Sequence, residues 1–209
     1  MKNQIRSLFP VLLSLLLAAS ACEEEDNDSN EPLTIETATD INGDPERSGN
    51  FTFYDLESGQ ILTQADSNST EWDLGFSTTT IITNGGSSGP GQGAAQIVNG
   101  LFDEVESAPA SGYSTDSEAE LAIPTGSNNG WYTYTGGDGS PAHAVLPIPG
   151  KVIVLKTGEG NYAKVEILSI YKGNPDTTTE EFANLETRAE YGYYTFRYVV
   201  QTNGSQNFE

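Results

Sequence analysis

A long hairpin in the second half of the chain constrains the fold more than any other segment. Residues 151–157 read Lys-Val-Ile-Val-Leu-Lys-Thr, a run with apolar residues at both odd and even positions. Such a run indicates a strand that is covered on both faces and therefore lies inside a sheet. Residues 158–161, Gly-Glu-Gly-Asn, have the composition of a turn, and residues 162–171 have the pattern of a second long strand. The hairpin predicts an antiparallel sheet.

Several other segments also have the composition of strands. Residues 51–54 are aromatic and β-branched, residues 72–76 alternate between apolar and small or polar, and residues 194–200 place aromatic side chains on one face. The 22 glycines are spread along the chain, which suits many short turns. These features favour hairpins and antiparallel sheets throughout the domain.

Helical patterns are confined to two short segments. One covers residues 116–121, and the other covers residues 180–188, where Thr178 and Glu181 have the spacing of a capping box. We therefore predict a single all-β domain of antiparallel sheets and hairpins, with few short helices, over residues 49–209.

The first 22 residues have the pattern of a lipoprotein export signal. A basic start leads into residues 8–21, an apolar and small-residue stretch that is shorter than the about 20 residues a transmembrane helix needs. Residues 19–22, Ala-Ser-Ala-Cys, resemble a bacterial lipobox. We expect residues 1–21 to be a signal peptide that is removed, and Cys22 to carry the lipid, palmitate included, that anchors the protein to a membrane.

A polar segment follows the cysteine. Residues 23–32 contain no apolar side chain and begin with Glu-Glu-Glu-Asp. Such a segment cannot bury enough surface to offset its ordering entropy, so we expect residues 22–48 to be a lipidated, disordered tether. Acids directly after a lipidated cysteine also resemble the signal that sends some lipoproteins to the outer face of the outer membrane.

Composition excludes two features of the protein. The formal net charge of −21 repels phosphate backbones, which excludes nucleic acid as a partner. The single cysteine excludes a disulfide within the chain, so core packing must hold an exported domain together.

A series of short motifs follows the lipobox in a characteristic order. They are Phe51-Thr52-Phe53, Trp72-Asp73-Leu74-Gly75-Phe76, the glycine-rich residues 89–95, residues 109–116 (Pro-Ala-Ser-Gly-Tyr-Ser-Thr-Asp), Gly130-Trp131, residues 160–165 (Gly-Asn-Tyr-Ala-Lys-Val) and Tyr194-Thr195-Phe196-Arg197-Tyr198. Their order and spacing resemble those of the HmuY family of haem-binding lipoproteins. The resemblance implies an all-β domain on the cell surface that captures haem from haemoproteins and passes it to a TonB-dependent receptor of the outer membrane.

The resemblance also implies two axial histidines for the haem iron. The first would lie between the Gly-Tyr-x-x-Asp motif and Gly130-Trp131, and the second would lie at about Gly136, but neither place has a histidine. His143 is the only histidine of the chain and follows the second place by a few residues, in a loop rich in proline and glycine. We therefore predict that His143 ligates haem iron, with a surface or hydrogen-bonded histidine that binds no metal as the alternative.

A second axial ligand would have to be a tyrosinate. Tyr132 and Tyr134 are the nearest tyrosines in sequence to His143, and Met1, the only methionine, would be removed with the signal. We predict that these two tyrosines contact the haem. The alternatives are that both simply pack on a sheet, that the iron is five-coordinate, or that two molecules share one haem.

Two other functions compete with haem capture. A family member that has lost haem ligation would serve as a module that binds a non-haem ligand, a glycan or another protein. An extracellular hydrolase would use Gly85-x-Ser87-x-Gly89 as a nucleophile elbow, but the residues after Ser87 are Ser-Gly-Pro-Gly and cannot start the helix that an elbow needs. The acidic residues at 103–106 and 116–120 are best interpreted as solvated faces, so we expect no enzyme.

Overall fold

The structure is a computed structural model that describes residues 33–209. The strands are β1 (Glu36–Asn42), β2 (Thr52–Asp55), β3 (Gln60–Leu62), β4 (Leu74–Ser77), β5 (Thr80–Thr83), β6 (Ala94–Asn99), β7 (Tyr132–Tyr134), β8 (Val145–Pro147), β9 (Lys151–Lys156), β10 (Tyr162–Tyr171) and β11 (Tyr191–Gln201). The helices are α1 (Glu180–Ala183) and two 3-10 helices, Gln64–Asn68 and Phe102–Glu104. The predicted all-β class is confirmed. Within these residues no helix has the length and hydropathy needed to cross a membrane.

The largest sheet has five antiparallel strands in the order β1-β11-β10-β9-β6. The predicted hairpin is its centre, because β9 and β10 pair from Lys156 opposite Tyr162 onward. The four residues from Val152 to Leu155 are all fully buried. The prediction of a strand covered on both faces is therefore confirmed.

A second sheet and a small hairpin complete the domain. The second sheet has four antiparallel strands in the order β3-β2-β4-β5, and β7 pairs with β8. The predicted strand at residues 72–76 begins at Leu74, since Trp72 and Asp73 are buried in the segment that precedes it.

Aromatic side chains form the core between the two sheets. Phe76 of β4 lies 4.6 Å from the ring of Tyr194 and 5.4 Å from that of Phe196, centroid to centroid. Trp131, just before β7, lies 5.5 Å from Tyr194. The predicted aromatic face of β11 is thus the face that packs on the second sheet. Because each aromatic side chain buries a large apolar area, these side chains contribute most of the packing energy of a core.

The predicted tether is wrong for residues 36–42, which form β1. This edge strand pairs with β11 and buries Ala38 and Ile41. Because the strand has only these two buried side chains among polar ones, its sequence does not stand out from a disordered segment. Its order comes from the backbone of β11, a partner more than 150 residues away. The predicted signal peptide, lipidated Cys22 and the tether to residue 32 lie outside the described residues.

The prediction of a helix at residues 116–121 is wrong, because this segment folds around a buried carboxylate. Asp116 accepts hydrogen bonds from the backbone N–H of Thr83 at 2.9 Å and of Ala122 at 2.7 Å. These two hydrogen bonds hold the segment in an irregular loop. The partner Thr83 is 33 positions away in sequence, so the local pattern does not indicate this contact.

The second predicted helix exists but is shorter than expected. It covers Glu180–Ala183, and its N-cap is Thr179 rather than Thr178. The Thr179 hydroxyl accepts the N–H of Phe182 at 3.2 Å, whereas the Thr178 hydroxyl donates to the carboxylate of Asp176. The helix ends after one turn, and buried Phe182 fixes it to the sheet.

Candidate functional site

A cleft of about 440 Å³ lies beside the β7–β8 hairpin. Its volume falls in the range of small-ligand sites. Apolar and aromatic walls are provided by Val145, Tyr171, Leu185 and Tyr191, and the polar groups are those of Arg47, Tyr134, His143 and Arg188. The cleft thus contains the predicted ligand His143 and one of the two predicted tyrosines.

His143 lies in the loop of residues 135–144 that joins β7 to β8. Its backbone N–H donates to the carbonyl of Gly136 at 2.7 Å, and Thr135 pairs with Ala144 across the base of the turn. The Thr135 hydroxyl also donates to the carbonyl of Pro141 at 2.7 Å. His143 itself has a φ of +53°, in the left-handed region. The predicted loop position is confirmed, and the loop is held by its own hydrogen bonds.

The imidazole of His143 is hydrogen-bonded to the phenol of Tyr134. The distance from Nδ1 to the Tyr134 hydroxyl is 2.7 Å. If Nδ1 carries the ring proton and donates it to the phenol oxygen, the lone pair of Nε2 is available to a metal. Two opposite axial ligands would stand about 4 Å apart, given metal–nitrogen bonds of about 2 Å. In this arrangement Tyr134 and His143 therefore do not face each other across an iron.

Gly137 lies beside the Nε2 edge of the imidazole. A Cβ atom at this position would lie 3.4 Å from Cε1 and 3.5 Å from Nε2 of His143. The preceding residue, Gly136, stands at about the place of the family's second axial histidine. Although His143 comes later in the sequence, the turn returns its ring to this place.

Arg188 fixes the His143 turn to the region of α1. Its Nε donates to the carbonyl of Phe182 at 2.7 Å, and its two terminal nitrogens donate to the carbonyls of His143 at 3.0 Å and Ala142 at 2.8 Å. The guanidinium also lies 4.8 Å over the ring of Phe182. Sequence reasoning missed this residue, because its partners around His143 lie 45 and 46 positions away.

Tyr191 in the wall of the cleft is uncharged at neutral pH. Burial raises the pKa of Tyr191 to about 12, and neighbouring Tyr171 acts in the same direction while Arg47 opposes it. The Tyr171 hydroxyl accepts the backbone N–H of Val145 at 3.0 Å, which joins the main sheet to β8. Arg47 and Arg188 are the arginines that line the cleft, and none of the described lining residues carries a carboxylate.

Tyr132, the other predicted haem contact, does not line the cleft. It is buried, pairs with Pro147 across the hairpin and packs against Trp131 with ring centroids 5.0 Å apart. Because side chains alternate between the two faces of a strand, Tyr132 and Tyr134, which are two residues apart, share one face of β7. The end of the strand exposes Tyr134, while Tyr132 lies deeper in the core.

A larger groove of about 630 Å³ lies beside another part of the β7–β8 hairpin. Leu146 and Pro147 line this groove, whereas Val145 lines the cleft. Its walls are more apolar, but no described residue that lines it carries an imidazole, thiol or thioether. It therefore lacks the side chains that most often ligate haem iron.

The structure does not support the hydrolase alternative, because Ser87 lies in a loop without the helix that a nucleophile elbow needs. Ser87 lies in a glycine-rich loop, where its backbone N–H donates to the carbonyl of Asp116 at 2.9 Å, and no helix follows it. Within residues 33–209 no group of three or more His, Cys, Asp or Glu side chains is arranged to hold a metal ion.

The fold is similar to that of two solved structures. One is the apo HmuY analog of Tannerella forsythia, with a TM-score of 0.53 and 16% identity over 82% of this chain and 97% of that chain. The other is apo PinO from Porphyromonas gingivitis, with a TM-score of 0.51 and 14% identity over 82% of this chain and 98% of that one. At these identities the likeness shows the fold alone. A comparison with curated proteins found no match.

The family is decided by the sequence match. Residues 47–198, most of the described domain, match the family described as HmuY protein. The chain belongs to the HmuY family. This HmuY domain differs from the resemblance-based expectation in lacking both axial histidine positions, and it offers His143 instead.

The side chains of the cleft suit a haem. An imidazole can ligate the iron, apolar and aromatic walls suit the tetrapyrrole, and the guanidinium of Arg47 suits a carboxylate. The protein has 9 basic and 30 acidic residues, so two arginines that line the same cleft distinguish it from the otherwise acidic protein. They are also the signal that sequence reasoning missed, since both are isolated cations in acidic or polar segments.

Proposed function

We propose that this HmuY-family protein binds haem in the cleft, with Nε2 of His143 as the iron ligand. The observation that carries the proposal is the setting of the only histidine: its Nδ1 is bonded to Tyr134, and its Nε2 lies beside Gly137. Metal-bound histidines generally donate their other ring N–H to a fixed partner, and the Tyr134 oxygen fills that role. Bound haem supplies the iron, and the chain supplies the oriented imidazole.

The other residues of the cleft position this imidazole. Arg188 holds the backbone of the His143 turn against α1, so the ring is presented by a fixed element. Val145, Tyr171 and Leu185 provide an uncharged surface that excludes water from one side of the site. His143 would be the one protein ligand of the iron in a single molecule, and any further ligand would come from solvent or from a second copy.

We further propose that the protein acts as a surface lipoprotein. Lipidated Cys22 anchors it in the outer membrane facing the exterior, and haem taken from haemoproteins passes to a TonB-dependent receptor. The lipobox and the acids that follow Cys22 support the anchor. Membership of the HmuY family supports the role in haem acquisition.

A titration with haemin tests the proposal. Purified protein should give a saturable change in the Soret band, and His143→Ala should alter the position of that band and weaken binding because the ligand is gone. Tyr134→Phe is the matched variant, since it keeps the ring and removes only the hydrogen bond to Nδ1. It should keep the band position and lower the affinity about tenfold. A titration of the wild-type protein without saturable change refutes haem binding.

A module that has lost haem ligation is the second candidate. The absence of histidine at both family positions favours it. A ligand that binds only the folded state raises the melting temperature by mass action. This candidate therefore predicts that excess haemin leaves the melting temperature unchanged, whereas the haem proposal predicts a rise that disappears in His143→Ala.

A further inference from the structure

Arg47 differs from Arg188 in having no partner for its guanidinium. Arg188 uses its nitrogens on backbone carbonyls, whereas the Arg47 side chain forms no hydrogen bond or ion pair with any residue in 33–209. It lines the cleft and is exposed. None of the described residues that line the cleft carries a carboxylate. The cleft therefore presents a guanidinium that is available to a ligand.

The turn that carries Arg47 is built around a buried carboxylate. Asp44 accepts the backbone N–H and the hydroxyl of Ser48, both at 2.7 Å, and the backbone N–H of Gly49 at 2.8 Å. The carbonyl of Asp44 accepts the N–H of Arg47 at 2.9 Å. Burial acts to raise the pKa of Asp44, but these hydrogen bonds outweigh it and lower the pKa below the usual value. The turn is thus fixed by an ionised side chain at neutral pH.

Within this turn, Arg47 adopts a backbone conformation that L-residues avoid. Its φ is +55°, and His143 on the other side of the cleft has a φ of +53°. Non-glycine residues in the left-handed region persist only where their surroundings fix them, and such residues cluster at ligand sites. Glycine would adopt the backbone conformation of this position with less strain than arginine does.

We propose that Arg47 binds a carboxylate of the cleft's ligand and thereby selects free-acid tetrapyrroles over their esters. The inference rests on the proposed function, since haem carries two propionate carboxylates. A guanidinium pairs with a carboxylate through two parallel hydrogen bonds, a geometry that an ester cannot accept with the same strength. In a chain of net charge −21, this pairing also opposes the general repulsion of an anionic ligand.

The test compares haemin with haemin dimethyl ester on purified wild-type protein and on Arg47→Ala. Wild-type protein should bind haemin about tenfold more tightly than the ester, and Arg47→Ala should bind both with the affinity that wild type has for the ester. The Soret position of the saturated variant should equal that of wild type, because His143 is unchanged. Lys151→Ala is the charge-matched control. This lysine contacts Asn99 on another part of the sheet, so its loss should change neither affinity.

A glycine variant separates recognition from folding. Arg47→Gly relieves the left-handed strain, so the melting temperature of the free protein should stay equal or rise while haemin affinity falls as in Arg47→Ala. Equal affinities of wild-type protein for haemin and its ester, or equal losses for both ligands in Arg47→Ala, overturn the proposal.

Iron-free protoporphyrin IX distinguishes this inference from the proposed function. It carries the same two carboxylates but no iron. Binding of protoporphyrin that depends on Arg47, with no ligand signature from haemin, supports carboxylate recognition and refutes iron ligation. Equal affinities for haemin and haemin dimethyl ester are compatible with iron ligation but refute the role of Arg47. A wild-type protein that binds neither compound refutes both.

Discussion

At the scale of single residues, the properties of His143 depend on its neighbours more than on its identity. The phenol of Tyr134 is hydrogen-bonded to Nδ1, Arg188 holds the backbone of the loop, and Gly137 lies beside Nε2. A histidine in a flexible loop would have none of these constraints. The ring is therefore oriented before any ligand arrives, which lowers the entropic cost of binding.

Gly137→Ala should separate metal ligation from folding. The backbone at Gly137 is not in the left-handed region, so alanine is compatible with it and the melting temperature of the free protein should stay within about 2 °C. The added methyl group would contact Nε2 and Cε1 of His143, so haemin affinity should fall about tenfold or more.

Gly100→Ala is the matched control for this variant, because a Cβ there meets only Val105, at 3.9 Å, away from the cleft. The measurements are a melting curve of the free protein and a Soret titration. Unchanged haemin binding by Gly137→Ala would show that iron does not approach this side of the imidazole.

At the scale of elements, local pattern predicts strands well only when the strand is long or central. Periodicity reveals β9 and β10 because each carries a continuous apolar run that any partner would cover. By contrast, β1 has a polar sequence and becomes a strand because β11 offers it a free edge. The expected helix at residues 116–121 fails for a related reason, since the carboxylate of Asp116 is taken up by the backbone of Thr83.

A core variant tests whether β1 belongs to the folded domain. Ile41 is 7% exposed, so Ile41→Ala should lower the free energy of unfolding by about 2 kcal/mol through lost burial. Ile35→Ala just outside the strand is the control, since Ile35 is 50% exposed and its loss should cost less than about 0.5 kcal/mol. Urea denaturation measures the free energy of unfolding of both variants. Equal denaturation curves would show that residues 36–42 belong to the tether and not to the folded domain.

At the scale of the whole molecule, a buried carboxylate joins the second sheet to the central hairpin. Asp73, just before β4, accepts the backbone N–H of Leu56 and that of Gly158 in the β9–β10 turn, each at 2.8 Å. Burial raises its pKa to about 7, although both hydrogen bonds act to lower it, and the nearby carboxylates of Asp55 and Glu57 raise it further. The junction is therefore sensitive to pH near neutrality.

The pH dependence of stability follows from this raised pKa. Between the usual value of 3.8 and about 7, the folded state holds a proton at Asp73 that the unfolded state has lost. The contribution of Asp73 to stability is therefore full below the unfolded pKa and is lost as the pH rises through about 7. Urea denaturation should show a greater loss of stability from pH 5 to pH 8 in the wild-type protein than in Asp73→Asn.

Asp73→Asn should be less stable than wild type at pH 5, because the amide replaces one of the two acceptor oxygens with a donor. The prediction is tested by how the free energy of unfolding of Asp73→Asn changes with pH, and not by its value at one pH. Parallel pH profiles of the two proteins would show that Asp73 does not titrate in this range.

The sequence by itself determined the all-β class, the central hairpin, the family and the presence of a single histidine. These follow from periodicity and ordered motifs, which depend on residues near one another in the chain. Only the tertiary structure placed Tyr134 on His143, Arg188 behind it, and Arg47 across the cleft from residues about 90 positions away. Such neighbours are set by sheet pairing and core packing, and one sequence carries no local pattern for them.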